Sequence, residues 1–325
     1  THAMTQCLET VLASDYKKME VIVYDDSSVD DTSILVRSFA HAGVRFIPGT
    51  KLPDGWLGRN HALDTLAREA SGTYILFLDV DTVIKPTTIG QLVGYITTEN
   101  VDMVSVIPQR AQPLRISVLL GTLRYYWYLA LSFKATPATS SSAWMINRKV
   151  LIENLGGMSD YKAAVQPEAR LASTLGVSLY HCLVGSEELG VRYEKRWSSQ
   201  VEASRRLLYP MVGGRWYFGF FAVIILILLN VPTLVVLSAI VTGWMTLHTV
   251  SLILLLAFMS LYAYYAYYLW QRDWLTAAFV WPVVIFQELI IFVQSMVGYS
   301  RKTITWKGRP ITDGAQRSSS IIIND

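Results

Sequence analysis

Between Trp216 and Tyr299 the chain carries only three charged residues, Arg272, Asp273 and Glu288. That stretch restricts the fold more than any other feature, because a run so poor in charge must be buried in protein or in lipid. A helix that crosses a bilayer needs about 20 apolar residues. Three runs reach that length, 216–244, 250–270 and 274–299, with tryptophan or tyrosine at most of their ends, where headgroups meet the acyl chains. Arg272-Asp273 reads as a polar turn between the second run and the third. Core helices of a large soluble protein are the other home for such runs, but three in succession favour a membrane. The whole chain is 16% charged, against about 25% in ordinary globular proteins.

Arg205, Arg206 and Arg215 precede the first run, and Arg301, Lys302, Lys307 and Arg309 follow the last. Basic residues collect on the cytoplasmic side. Both clusters then belong in the cytoplasm, which demands an even number of crossings, whereas three spans give an odd number. Asn230 and Pro232 interrupt the first run, so it is one helix, a hairpin or a broken helix. The expectation is about three membrane helices over 216–299 in a multi-pass protein. A basic tail follows over 300–325, and the N-terminal region is cytoplasmic. Glu288 lies inside the last run, where a carboxylate is costly and must face other helices or water.

Residues 1–215 read as an α/β domain. Short apolar runs at 20–24 (EVIVY), 44–47, 74–78 (YILFL) and 103–107 suit strands of a parallel sheet covered on both faces. Helical patterns at 33–40, 60–70 and 88–97 alternate with them, which implies a doubly wound sheet. Ligands of such sheets bind beyond the carboxyl ends of the strands. The acidic runs Asp25-Asp26 and Asp79-Val80-Asp81 both fall there. The chain opens on a helical stretch at 7–13, so a first strand is expected to be missing and the sequence to be a fragment. A net charge of +3 is too small for a nucleic-acid binder. Two distant cysteines, Cys7 and Cys182, exclude a disulfide scaffold and a structural zinc site.

Carboxylates two residues apart after a strand can reach one point once the chain turns. Such hard oxygen ligands suit Mg²⁺ or Mn²⁺, which in turn bind phosphates. Asp79 and Asp81 are the candidates, and a solvated loop or a helix cap is the competing reading. The acidic run from Asp25 either caps the helix starting near Thr32 or hydrogen-bonds a ribose or base, and the two are compatible.

With these residues in hand, a family resemblance emerges. VIVYDDSSVDDT (21–32) resembles the VIVVDDxSxDxT segment of family-2 glycosyltransferases of the GT-A fold. SGTYILFLDVDTVIKP (71–86) is similar to their segment bearing the DxD. PDGWLGRNHALDTLAREA (53–70) resembles a PxGWxGK segment found in the membrane-bound branch that glycosylates lipids such as carotenoids, hopanoids and ceramides. SSSAWMINRKVLIENLGGM (140–158) and SRKTITWKGRPI (300–311) resemble two further segments of that branch, in order.

The resemblance implies sugar transfer from a nucleotide-diphosphate donor, uridine-based by preference, with inversion at the anomeric carbon. It implies that Asp25 and Asp26 contact the base and ribose, and that Asp79 and Asp81 hold the metal on the diphosphate. Arg59 stands where the family has lysine and pairs with phosphate oxygens, unless it is a surface arginine. Trp56 packs beside the donor or merely fills its loop. Aligned on Leu171-Ala172, Glu168 takes the place of the family's catalytic Asp, and Asp160 is the runner-up base. Arg196-Trp197 resembles an RW motif that covers the diphosphate, although Tyr193 replaces that motif's first residue; an interfacial anchor is the alternative. Residues 116–133 are aromatic-rich and read as a membrane-interface segment delivering a lipid acceptor, with a core helix and, behind it, a fourth crossing as the alternatives. His61 and His181 are assigned no role. The expected activity is hexosyl transfer to a lipid-type hydroxyl. A processive polysaccharide synthase and a non-catalytic nucleotide-sugar or lipid binder are the alternatives.

Overall fold

A computed structural model describes residues 2–26, 31–110, 116–130, 137–242, 245–270, 274–306 and 309–311. The expected Arg272-Asp273 turn, the Lys307 position and the tail beyond 311 lie outside the described residues. The chain divides into two units. The first comprises residues 1–109 and 131–194, and the second 110–130 and 195–312.

The chain order is α1 (His2–Leu12), β1 (Val21–Asp25), α2 (Thr32–Ser38), β2 (Val44–Pro48), α3 (Gly58–Glu69), β3 (Tyr74–Leu78), β4 (Thr82–Val83), α4 (Thr88–Thr98), β5 (Met103–Ile107), β6 (Gln109–Arg110), α5 (Ile116–Leu119), α6 (Arg124–Ala130), β7 (Ala143–Asn147), α7 (Pro167–Leu175), β8 (Tyr180–Val184) and β9 (Arg192–Tyr193). Strand β1 pairs parallel with β2. The central sheet has the order β3-β7-β5-β8. Strand β7 runs antiparallel to both neighbours, and β5 and β8 are parallel. The sheet is therefore mixed rather than wholly parallel.

Alternation along these strands feeds two cores. Ile75, Phe77, Met103, Trp144 and Ile146 pack with Leu63 and Ala67 of α3 and Leu171 of α7. Val104, Val106, Ala143 and Met145 pack with Leu92 and Ile96 of α4 on the opposite face. Helices on both faces are what a doubly wound sheet requires. Phe77 and Trp144 are register partners whose rings stack at 4.2 Å, which ties β3 to β7. All four strands expected from apolar runs are present, as are the three helices between them.

The second unit holds α5, α6, α8 (Trp197–Met211), α9 (Trp216–Thr242), α10 (Met245–Trp270) and α11 (Trp274–Ser300). Within the last three, Trp216–Ser238, His248–Leu269 and Trp274–Ser300 are long and apolar enough to cross a membrane. Helix α9 is continuous through Asn230 and Pro232, so its first run is not a hairpin. Asn230 Nδ2 donates to Leu226 O at 2.7 Å, inside its own helix. Helix α11 has two faces. Trp281, Val284, Ile285, Glu288, Ile291 and Phe292 are buried, whereas Leu275, Phe279, Val283, Phe286 and Ile290 are exposed. Glu288 is fully buried and accepts from Leu123 N at 3.2 Å and Trp127 Nε1 at 2.9 Å. It thereby caps the approach to α6, and Gln287 Nε2 donates to Leu120 O beside it.

Candidate active site at the strand ends

Strand β1 ends on Asp25 and β3 ends just before Asp79. Asp25 is buried and accepts from Ser33 Oγ at the start of α2, which serves both the helix and the carboxylate's orientation. Asp26 follows, half-buried. The backbone N–H of Asp79 donates to Ser142 O at 2.9 Å, and the N–H of Thr82 to Asp79 O at 2.9 Å. The turn that carries Asp79 and Asp81 is thus closed on itself and fastened to the 140–142 segment.

The Cys7 thiol of α1 lies against this turn, its Sγ 4.0 Å from Asp79 O. Burial, then the charges of Asp81 and Asp79, push it up to about 11. Among the described residues no group of three His, Cys, Asp or Glu side chains gathers at a point. Two carboxylates alone suit a hard cation that keeps water and phosphate ligands, as Mg²⁺ and Mn²⁺ do.

Helix α3 brings the rest of the site together. Arg59, in its first turn, places Nη1 2.9 Å from Glu168 Oε2 and Nη2 3.9 Å from Asp79 Oδ1. Nη2 also donates to Ser141 O at 3.4 Å. One planar guanidinium serves a carboxylate at each of two nitrogens, which a lysine ammonium cannot match as a fork. Arg59 is therefore no surface residue. Two residues on, His61 Nδ1 lies 3.4 Å from the Tyr24 hydroxyl, next to Asp25, and its ring meets Trp56 edge-on at 5.7 Å. The first two turns of α3 thus touch both acidic strand ends, and His61, which the sequence left without a role, belongs to this neighbourhood.

Glu168 sits in the first turn of α7, behind Pro167, where proline fits and the helix dipole favours a carboxylate. Its side chain is 1% exposed. Oε2 takes Arg59, and Oε1 is buried with no hydrogen-bond partner among the described residues. It is not an ordinary exposed helix carboxylate. Asn60 explains how α7 is aimed. Its Nδ2 lies 2.7, 3.0 and 2.8 Å from the carbonyls of Tyr161, Lys162 and Ala164. Leu57 N donates to Lys162 O as well. No motif spacing pointed to Asn60, which stands between Arg59 and His61 in a segment already rich in polar residues.

A buried network stands behind the 138–142 segment. Ser105 Oγ lies 2.5 Å from Tyr180 Oη and accepts from Ser140 N at 3.2 Å, and Tyr180 Oη donates to Ala138 O at 2.6 Å. Ser142 N donates to Ser140 Oγ. Remote strands β5 and β8 thereby hold the carbonyls that receive Arg59 and the Asp79 amide.

One expected site group stands apart. Asp160 is exposed on a 3₁₀ turn, Ser159–Tyr161, and is not bonded to this cluster. Arg196 and Trp197 belong to the second unit. Arg196 is the exposed N-cap of α8, and Trp197 Nε1 donates to Gln287 Oε1 of α11 at 2.9 Å.

Residues 2–154 match the family described as Glycosyl transferase family 2. Over 94 residues the chain is 33% identical to the UDP-Glc:alpha-D-GlcNAc-diphosphoundecaprenol beta-1,3-glucosyltransferase WfaP of Escherichia coli. That stretch is 29% of this chain and 36% of that protein, so the match spans about a third of the relative's length. The mannosyltransferase PcManGT from Pyrobaculum calidifontis, solved in complex with GDP-Man and Mn²⁺, superposes with a TM-score of 0.53 at 17% identity. The overlap covers 91% of this chain and 83% of that one. This last likeness is one of fold.

Proposed function

We propose that this chain, whose residues 2–154 match Glycosyl transferase family 2 and whose fold is like that of a mannosyltransferase, transfers a sugar, with inversion, from a nucleotide-diphosphate sugar to a hydroxyl of a lipid-linked acceptor. The observation that carries this reading is Arg59, bridging Asp79 and Glu168 and leaving Glu168 Oε1 buried without a partner. A buried carboxylate oxygen with nothing to accept from is costly, and an acceptor hydroxyl is the donor it lacks. Proton transfer to a positioned base contributes about 10²- to 10⁴-fold in rate.

In this reading Glu168 Oε1 takes the acceptor proton as the acceptor oxygen bonds to the anomeric carbon. The bond from that carbon to the diphosphate breaks on the opposite face. Arg59 holds Glu168 in its rotamer through a charge-assisted bond and sets positive charge beside the diphosphate. Asp25 and Asp26 bind the nucleoside, uridine by preference. Asp79 and Asp81 hold Mg²⁺ or Mn²⁺, which supplies charge neutralisation to the leaving nucleotide. Ser142 and Thr82 keep that turn closed. The apolar helices of the second unit hold the chain in a membrane, where a lipid-linked acceptor resides, with the sugar-transferring unit cytoplasmic. The lipid class is supported by WfaP, whose acceptor is a diphosphoundecaprenol-linked sugar.

The test uses membranes containing the full chain, Mn²⁺, a panel of UDP- and GDP-sugars, and a polyprenyl-diphosphate-linked sugar acceptor. One sugar should be added, and its anomeric configuration, read by NMR, should be opposite to the donor's. Retention would exclude Glu168 as a simple base, and a ladder of products would favour a processive synthase. Binding of the donor with no turnover would favour a non-catalytic relative.

A further inference from the structure

Helix α8 runs in the same direction as α11 and is bonded to it along its length. Trp197 Nε1 meets Gln287 Oε1, Arg205 Nε donates to Gln294 Oε1 at 2.8 Å, Ser295 Oγ to Arg205 O at 2.6 Å, and Tyr299 Oη to Arg206 O at 2.7 Å. The start of α8 thus lies midway along α11, and its last turns lie at the end of α11. Helix α9 begins shortly after. Its Gly219 is pressed so close to that corner that a Cβ would fall 2.8 Å from the Tyr209 ring and 2.9 Å from Met296 Sδ. The chain therefore enters the first apolar helix and leaves the last at the same place.

Charge gives a second, independent constraint. Arg196, Glu202 and Arg205 of α8 are exposed. A helix of 27 residues is about 40 Å long, against about 30 Å of hydrocarbon. Were α11 to span the bilayer end to end, Gln287 would sit near the midplane and bring the charged start of α8 with it. Exposed charges are not found there unless they face protein or water. Helices α9 and α10 contain no charged residue at all.

We propose that α9 and α10 cross the bilayer as a pair, out and back, while the C-terminal half of α11 lies outside the hydrocarbon beside α8. Both basic clusters, Arg205, Arg206 and Arg215 with Arg301 and Lys302, then face one side, as the positive-inside rule asks. Glu288 is placed in a protein-walled position instead of the acyl region. The exposed apolar face of α11 lies along the bilayer surface, as an interfacial helix does. This rests on the membrane placement proposed above.

The test is side-specific labelling of the full chain in sealed, cytoplasmic-side-out vesicles with a membrane-impermeant maleimide, read site by site by mass spectrometry. Trp216→Cys, at the start of α9, and Ser300→Cys, at the end of α11, should both label in intact vesicles. Gly243→Cys, between α9 and α10 in the sequence, should label only after the vesicles are opened. Labelling of 216 and 300 from opposite faces, or of 243 together with them, overturns the proposal. The buried Cys7 stays unlabelled in folded protein and reveals a variant that has lost its fold; Phe218→Cys and Thr303→Cys then carry the same reading. Release of the chain by alkaline carbonate would instead remove the membrane placement itself.

Discussion

Arg59 is the residue on which the acidic strand end and the proposed base converge. Its bonds make Glu168 an oriented carboxylate, so Glu168→Gln, which keeps shape and removes basicity, should lower transfer by about 10²- to 10⁴-fold. Binding of UDP with Mn²⁺ should persist in that variant, as measured by calorimetry. If transfer survives in Glu168→Gln and is lost in Asp160→Asn, the base has been misassigned. Cys7 offers a second check. Its thiol is neutral in the fold and held up to about 11 by burial and by Asp81 and Asp79, whereas an unfolded thiol ionises near 9. This group's contribution to stability is therefore intact below that pH and is lost as the pH rises toward 11. Because the thiolate is the reactive form, iodoacetamide at pH 8 should leave Cys7 of the metal-free protein unmodified. Rapid alkylation at pH 8 would contradict the burial.

At the scale of elements, α3 and α7 are positioned by one side chain. Asn60 donates to three carbonyls ahead of α7, so Asn60→Ala should cost about 3 kcal/mol by leaving buried acceptors unmet. Asn60→Asp should cost more, since it sets a carboxylate against those same oxygens; urea melts in detergent would rank the two. The elements themselves were largely readable. EVIVY and YILFL are too apolar for an exposed surface, and the acidic residues after them mark the strand ends. The pairing was not readable: AWMIN at β7 is as apolar as its neighbours, and its antiparallel insertion between β3 and β5 depends on contacts far apart in sequence. Strand β8 (YHCLV) carries a histidine and a cysteine that mask its pattern, although its Tyr180 holds the segment behind Arg59. Asn230 and Pro232 suggested a break in α9, yet the helix runs through both, with the Asn230 amide bonded back to Leu226 O inside its own helix. Asp79, Asp81, Arg59 and Glu168 were legible as a list; that one guanidinium joins Asp79 to Glu168 was not, because nothing in spacing brings residues 59 and 168 together.

For the whole molecule, the family match ends at residue 154, whereas Glu168 and the apolar helices lie beyond it. Composition marks an apolar half, and motifs mark a half that resembles glycosyltransferases; the number of crossings stays open in the sequence because charge and helix count disagree. Helix α11 bears on that disagreement, since one side of it is walled by α8, α9 and α10 while the other is bare. Its tolerance to change should follow a 3.6-residue rhythm. In a saturation scan read by protein abundance, positions 275, 279, 283, 286 and 290 should accept any greasy side chain of whatever shape. Positions 281, 284, 285, 288 and 292 should accept almost none, so that a single helix reports, residue by residue, which neighbour is fluid and which is solid.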